Sequence, residues 1–292
     1  MNKTIDRQFK LRDGRTLGYA EYGDPAGNPL IYCHGFPASR LEARMIAPAA
    51  ERQQVRVISV DRPGYGLSDF QPQRRLNDWP DDICALSDAL GIERFAVLGI
   101  SGGGPYALAC AWKIPMRLTA VGVVCGLGPV YEPWAIQDMK WPARLGFETA
   151  RRARWLLPAI YGGIVARIMR WRPATIQALV ATAAPKVDRK VLQRPEIQDI
   201  FITCARDALR QGPRGALWDF VLYAHYWGFQ LQDIDLPVHL WQGEADATVP
   251  PSHMRHQAKV LPNARARFLA EEGHFSLPIN HMDEIMATLL NI

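Results

Sequence analysis

Three side chains in this sequence have the types needed for acyl transfer through a serine ester: Ser101, Asp246 and His274. A serine hydroxyl is a poor nucleophile until a base takes its proton, and that base needs a third group to orient it. Ser101 lies in Gly99-Ile100-Ser101-Gly102-Gly103, with a glycine two places before it and two places after. That spacing suits a serine held on a sharp turn between a strand and a helix, where the crossing backbones leave no room for a Cβ. A glycine-rich turn with an idle serine is the bland alternative, and the apolar strand before and the helix after count against it.

Of the seven histidines, His274 is the candidate base because Glu271-Glu272-Gly273-His274-Phe275 reads as a tight loop behind a strand. His239 alternates inside a strand pattern, and His253, His256 and His281 fall on expected surface helices. His225 sits in an aromatic helical stretch, and His34 precedes a turn. For the orienting carboxylate, the strand ending at Gln242 leads into Gly243-Glu244-Ala245-Asp246, which makes Asp246 the first choice and Glu244 the runner-up. The earlier strand end, Cys125-Gly126-Leu127-Gly128, offers no carboxylate. An oxyanion also needs two donors. The N–H of Gly102 at the start of a helix is one, and that of Phe36 in His34-Gly35-Phe36-Pro37 is the other. The Phe36 side chain and His34 are the expected substrate-side contacts, with His34 holding its loop by a hydrogen bond rather than acting in catalysis.

These residues need strand ends to hold them. Residues 8–12 and 16–22 read as strands joined by the hairpin signal Asp13-Gly14. Apolar runs at 30–33, 55–60, 95–100 and 118–124 read as buried strands, with helices between them through Leu41–Ala50 and near Ile83, Leu86 and Leu90. Strands return at 237–242 and 265–269, and a last helix runs from Met282 to Leu289. Such alternation predicts an α/β fold: a mostly parallel central sheet flanked by helices. From Pro129 to about Gln230 the alternation stops and the chain reads as helical throughout. The expected division is a core of residues 1–128 and 236–292 with a helical cap of 129–235 inserted between two sheet strands. Six of the nine tryptophans lie in that insertion, some expected as core and the rest as lining of a covered pocket.

Composition sets the outer limits. At 48% hydrophobic and 22% charged, the 292 residues describe an ordinary globular chain. No apolar run reaches a membrane span and residues 1–7 lack a secretory core, so a cytoplasmic protein without stable membrane insertion is expected. The net charge of +5 concentrates between Pro129 and Ile234, where 15 Lys/Arg face 9 Asp/Glu. Those cations are scattered as on solvated helix faces, and no nucleic-acid module is evident. The five cysteines are widely spaced with no metal-ligand pattern, which favours reduced thiols and neither disulfide nor zinc. Oligomeric state cannot be read from the chain.

Together these motifs resemble the α/β-hydrolase fold family. The order Ser101, Asp246, His274 matches that family's chain order. His34-Gly35-Phe36-Pro37 is similar to its oxyanion loop, and Asp61-Arg62-Pro63-Gly64-Tyr65-Gly66-Leu67-Ser68 to its D-x-P-G-x-G-x-S segment. The resemblance covers about residues 8–128 and 236–290, and the insertion corresponds to the family's variable cap. A serine at 101 departs from the aspartate nucleophile of epoxide hydrolases and haloalkane dehalogenases. The loop at 34–38 departs from the His-Gly-Gly-Pro-Gly of proline iminopeptidases and from the His-Gly-Gly-Gly of another esterase branch. The resemblance then implies the capped carboxylesterase and lipase-like group: a serine hydrolase acting on a small-molecule ester, without cofactor or metal. A C–C bond hydrolase and a perhydrolase-like enzyme would use the same three residues, and a ligand-binding receptor could retain them.

Overall fold

The computed structural model describes residues 5–290. Its strands are β1 (Arg7–Lys10), β2 (Thr16–Gly23), β3 (Asn28–Cys33), β4 (Val55–Val60), β5 (Phe95–Ile100), β6 (Leu118–Val124), β7 (Val238–Gly243) and β8 (Ala264–Leu269). They form one sheet in the order β1-β2-β4-β3-β5-β6-β7-β8. The hairpin announced by Asp13-Gly14 is present: Lys10 pairs with Thr16, and Gly14 takes a φ of 86°. β1 and β2 are antiparallel to their neighbours, and every other pairing in the sheet is parallel.

The parallel strands read as unbroken apolar runs because both of their faces are covered. On one face Ile31, Val97, Val121 and Leu240 pack with residues of α2 (Trp79–Ala89) and α3 (Gly104–Lys113). On the other, Leu30, Tyr32, Leu98 and Trp241 meet α1 (Ala47–Arg52) and the last helix, Met282–Leu290. The single helix expected through Leu41–Ala50 is two pieces: a 3₁₀ segment at Arg40–Met45, then α1. Pro48 explains the break, since its ring is tolerated in a first turn but not in a helix interior. Ser39 caps the first piece by accepting the Leu41 N–H at 3.4 Å.

Between β6 and β7 come α4 (Trp141–Arg152), α5 (Ala166–Trp171), α6 (Pro173–Ala183), α7 (Lys186–Leu192), α8 (Pro195–Ala208) and α9 (Arg214–Tyr223). After β7 follow α10 (Pro251–Val260), the short α11 (Ser276–Asn280) and α12 (Met282–Leu290). Among the described residues no helix is long and apolar enough to cross a membrane. The carboxyl ends of β3, β5, β7 and β8 lead directly into the segments carrying Phe36, Ser101, Asp246 and His274. That edge is where open α/β sheets form their binding crevice.

Candidate active site

β5 delivers Ser101 at a φ of 54°, in the left-handed region that a non-glycine residue seldom adopts. The strain holds the side chain out of the sheet: Ser101 is partly exposed while Ile100 before it and Gly102 after it are buried. The flanking glycines are sterically required. A Cβ on Gly99 would lie 2.4 Å from the Gly103 carbonyl oxygen, and one on Gly103 would lie 2.0 Å from that of Cys33.

The structure brings His274 and Asp246 together. His274 Nδ1 lies 2.8 Å from Asp246 Oδ2. The carboxylate can only accept there, so Nδ1 carries the proton and Nε2 is left with its lone pair. Asp246 is fixed in turn, its Oδ1 accepting the N–H groups of Thr248 at 2.8 Å and Val249 at 2.9 Å, and its Oδ2 the Gln242 side-chain amide at 3.0 Å. Burial disfavours the charged imidazole, but the Asp246 carboxylate outweighs it, and the net effect holds His274 above its ordinary pKa. Glu244 points elsewhere, paired with Arg255 on the surface at 2.7 Å.

Phe36 follows β3 and faces the Ser101 turn. A Cβ on Gly102 would lie 2.6 Å from Phe36 Cβ and 3.3 Å from its backbone nitrogen. His34 has a different place from the substrate contact expected of it. It is fully buried, its Nδ1 donates to the Gly35 carbonyl at 2.9 Å, and its Nε2 accepts the Arg62 N–H at 3.2 Å. Burial, reinforced by the Arg62 charge, pushes its pKa well below the usual value, so a neutral ring braces the loop from beneath. The Arg62 guanidinium donates to the carbonyls of both His34 and Gly35.

Arg62 is itself held from the insertion. Asp219 of α9 is fully buried and accepts from Arg62 Nε at 2.9 Å, Tyr65 at 2.8 Å, Tyr106 at 2.6 Å, and Arg74. Burial works against the charge, yet Arg62 and Arg74 prevail and hold this carboxyl down at about 2. One turn on, the Tyr223 hydroxyl donates to the Gly102 carbonyl at 2.8 Å. A second inserted carboxylate, Asp188 of α7, accepts the backbone N–H groups of His274, Phe275 and Ser276 at 3.0, 2.9 and 2.9 Å. Sequence reading did not single out Asp188, Asp219 or Tyr223. Asp219 alone left a trace, a charge between Trp218 and Phe220 in a helix that is otherwise uncharged after Arg214.

Above these residues lies a cavity of about 510 Å³. Ser101, Phe36 and His274 line its floor, while Ile176, Leu179 and Phe201 are among the inserted residues that roof it. A smaller cavity of about 200 Å³ lies on the Phe36–Phe220 side. None of the six inserted tryptophans lines the larger cavity. Trp227 is buried, whereas Trp141 and Trp155 are 75% exposed. Trp141 opens α4 and Trp155 lies in the turn after it, so each sits at a helix end rather than on an inward face. His253, expected on a surface, is also buried: its Nδ1 accepts the Gly128 N–H at 2.9 Å and its Nε2 donates to the Ala135 carbonyl at 2.7 Å. Burial lowers its pKa to about 4.

Cys125, Asp246 and His274 bring potential ligand atoms within 4.8 Å of one another. Their states and partners do not suit a cation. Burial and the neighbouring Asp246 keep the thiol protonated, and the carboxylate already receives four N–H donors.

The profile of the alpha/beta hydrolase fold family matches residues 28–280, from the start of β3 to the end of α11. A hydrolase from Saccharomyces cerevisiae is 33% identical over 148 residues, which is 48% of this chain and 49% of the yeast protein. Epoxide hydrolase B from Mycobacterium tuberculosis is 33% identical over 101 residues, 34% of this chain and 28% of that one. The chain thus spans half or less of the length of these curated relatives. Among solved structures, a hydrolase from Pseudomonas aeruginosa PA01 superposes with a TM-score of 0.73 at 19% identity over 100% of both chains. An esterase from Exiguobacterium antarcticum gives 0.69 at 16% identity over 98% of both. With its mostly parallel eight-stranded sheet and a profile match running from β3 to α11, this chain belongs to the α/β hydrolase fold family.

Proposed function

We propose that the protein is a serine carboxylic-ester hydrolase that works through an acyl-enzyme, on small to medium acyl groups covered by a cap of residues 129–235. The observation that carries this reading is the His274 imidazole, tied to Asp246 at 2.8 Å and lining the same cavity as Ser101 on its strained turn. In the first step His274 Nε2 takes the Ser101 proton as the hydroxyl oxygen attacks the ester carbonyl. The N–H groups of Gly102 and Phe36 receive the oxyanion, and Asp246 steadies the imidazolium. The imidazolium then protonates the leaving alcohol. Water, deprotonated by the same nitrogen, attacks the acyl-serine and releases the acid. The predominantly aliphatic roof supports an acyl chain rather than a highly polar group.

p-Nitrophenyl esters of graded acyl length, assayed alongside a ring-cleavage dienoate, test the reading. The expected result is steady ester turnover that Ser101→Ala lowers by about 10⁴-fold or more, with an unchanged circular dichroism spectrum. Turnover surviving that substitution would remove Ser101 from the mechanism. Cleavage of the dienoate alone would reassign the same residues to C–C bond hydrolysis. Fluorophosphonate labelling of Ser101 without turnover would indicate a receptor.

A further inference from the structure

One acidic side chain interrupts the apolar surround of the larger cavity. Glu42, in the 3₁₀ segment that follows the Phe36 loop, lines the cavity together with Ser101 and His274. Its two oxygens have different circumstances. Oε2 is fully engaged, accepting the Gly35 N–H at 2.6 Å and the Tyr32 hydroxyl at 2.8 Å. Oε1 accepts no hydrogen bond from any described residue. Among the lining residues Met45 and Ile200 are apolar, and the Cys204 thiol, kept protonated by burial, turns its S–H to the Ser39 carbonyl at 3.9 Å. Lys140, the one Lys or Arg among the lining residues, turns its Nζ to the Ala183 carbonyl at 3.1 Å.

Fastening Gly35 accounts for one oxygen only. Glu42 is half-buried, so Oε1 is an acceptor open to the cavity rather than one sealed from solvent, and a ligand's donor can reach it. The protein packed around it raises the Glu42 carboxyl above the ordinary glutamate range, against the opposing pull of the Gly35 N–H and the Tyr32 hydroxyl. A substrate group able to donate to Oε1 would gain a charge-assisted bond beside mostly apolar walls, which strengthen it relative to bulk water.

We propose that Glu42 Oε1 is the specificity anchor of this cavity, and that the physiological substrate is an ester bearing a hydrogen-bond donor, an amine or a hydroxyl, a few atoms from the reacting carbonyl. The proposal rests on the ester-hydrolase reading for the word ester, but not for the binding of the donor. An aliphatic chain lies along Ile176, Leu179 and Ile200 while its polar substituent turns back toward the Gly35 side of the floor. Glu42 thereby selects among esters that fit the apolar volume equally well.

The test uses three small ligands of similar shape: hexylamine, hexanol and hexyl methyl ether. Binding to the full-length protein is measured by ligand-observed NMR titration, which needs no turnover, and by competitive inhibition of p-nitrophenyl butyrate hydrolysis. For the wild type, amine and alcohol should bind about tenfold more tightly than the ether, which can only accept. In Glu42→Gln the amide oxygen can still accept from Gly35 and Tyr32, but an NH₂ donor replaces the free acceptor. The order should then invert, with the ether at least equal to the amine. A Glu42 that merely braces Gly35 would weaken all three ligands alike and leave their ratio unchanged, which overturns the proposal. Equal wild-type affinities would overturn it even if the variant fails to fold. Donor preference by NMR with no ester turnover would uphold the anchor and sink the hydrolase reading instead.

Discussion

Asp246 and Glu244 are two places apart on one loop, and only geometry separates their roles. Asp246 accepts four N–H donors including that of His274, while Glu244 faces solvent beside Arg255. Asp246→Asn should therefore lower kcat by about 10³ to 10⁴, since an amide can present its NH₂ to Nδ1 and favour the unproductive tautomer. Glu244→Gln should change kcat by less than about threefold, as expected where an exposed ion pair is worth little. Steady-state kinetics on one ester decides between them, and the reverse ranking would give the orienting role to Glu244. The pairing of His274 with Asp246 was legible in the sequence because each of the two follows a strand end with a local signature. The fate of His34 was not. Its neighbours Gly35 and Phe36 do face the cavity, and nothing local distinguishes a histidine lying under a loop from one on top of it. Only Arg62, 28 residues away, closes the ring nitrogen off.

At the scale of elements, the strands could be placed closely from their apolar runs, since a strand covered on both faces has few other compositions open to it. The insertion was legible as helical and no further. Which residue of an amphipathic helix turns inward depends on a partner far along the chain, and Asp188 meets His274 across 86 residues. Its position in α7, between Val187 and Arg189, reads as part of a solvated face. The tryptophans misled for a related reason: bulk suggests a pocket wall, but helix ends leave Trp141, Trp155 and Trp171 in solvent. Asp188 carries a prediction of its own. In the proposed mechanism His274 must be neutral to accept the serine proton, and its raised pKa moves the midpoint of the acidic limb of kcat/KM above that of an ordinary histidine. The Asp188 charge contributes to that elevation. Asp188→Asn should accordingly move the midpoint to lower pH while reducing kcat, because one amide oxygen replaces two carboxylate oxygens under three N–H groups. A drop in kcat at an unmoved midpoint would mean that Asp188 acts on loop position alone.

For the whole molecule, the binding of insertion to core is ionic as well as apolar. Asp219 balances Arg62 and Arg74 where none of the three reaches water. Removing one charge of such a set strands the others, so Asp219→Asn should cost about 3–5 kcal/mol, read as a fall of roughly 6–15 °C in Tm. The sign with pH follows from its depressed pKa. The folded carboxyl titrates near 2, below the unfolded value of about 3.9. Its contribution is present in full above about pH 4 and is lost as pH falls through 2, on the order of 2–3 kcal/mol. Denaturation midpoints of wild type and variant should converge over that interval, and a constant gap down to pH 2 would count against the assignment.

Asp188 also bears on how freely parts can be exchanged within this fold. Domain shuffling treats the roof of such an enzyme as a replaceable module that alters which molecules enter and leaves the machinery below untouched. Here the transplanted piece would take away the mooring of the imidazole that the proposed mechanism uses as its base. Chimaeras that borrow a foreign roof should be crippled toward every substrate alike, until an acidic residue is restored opposite the main chain of residues 274–276.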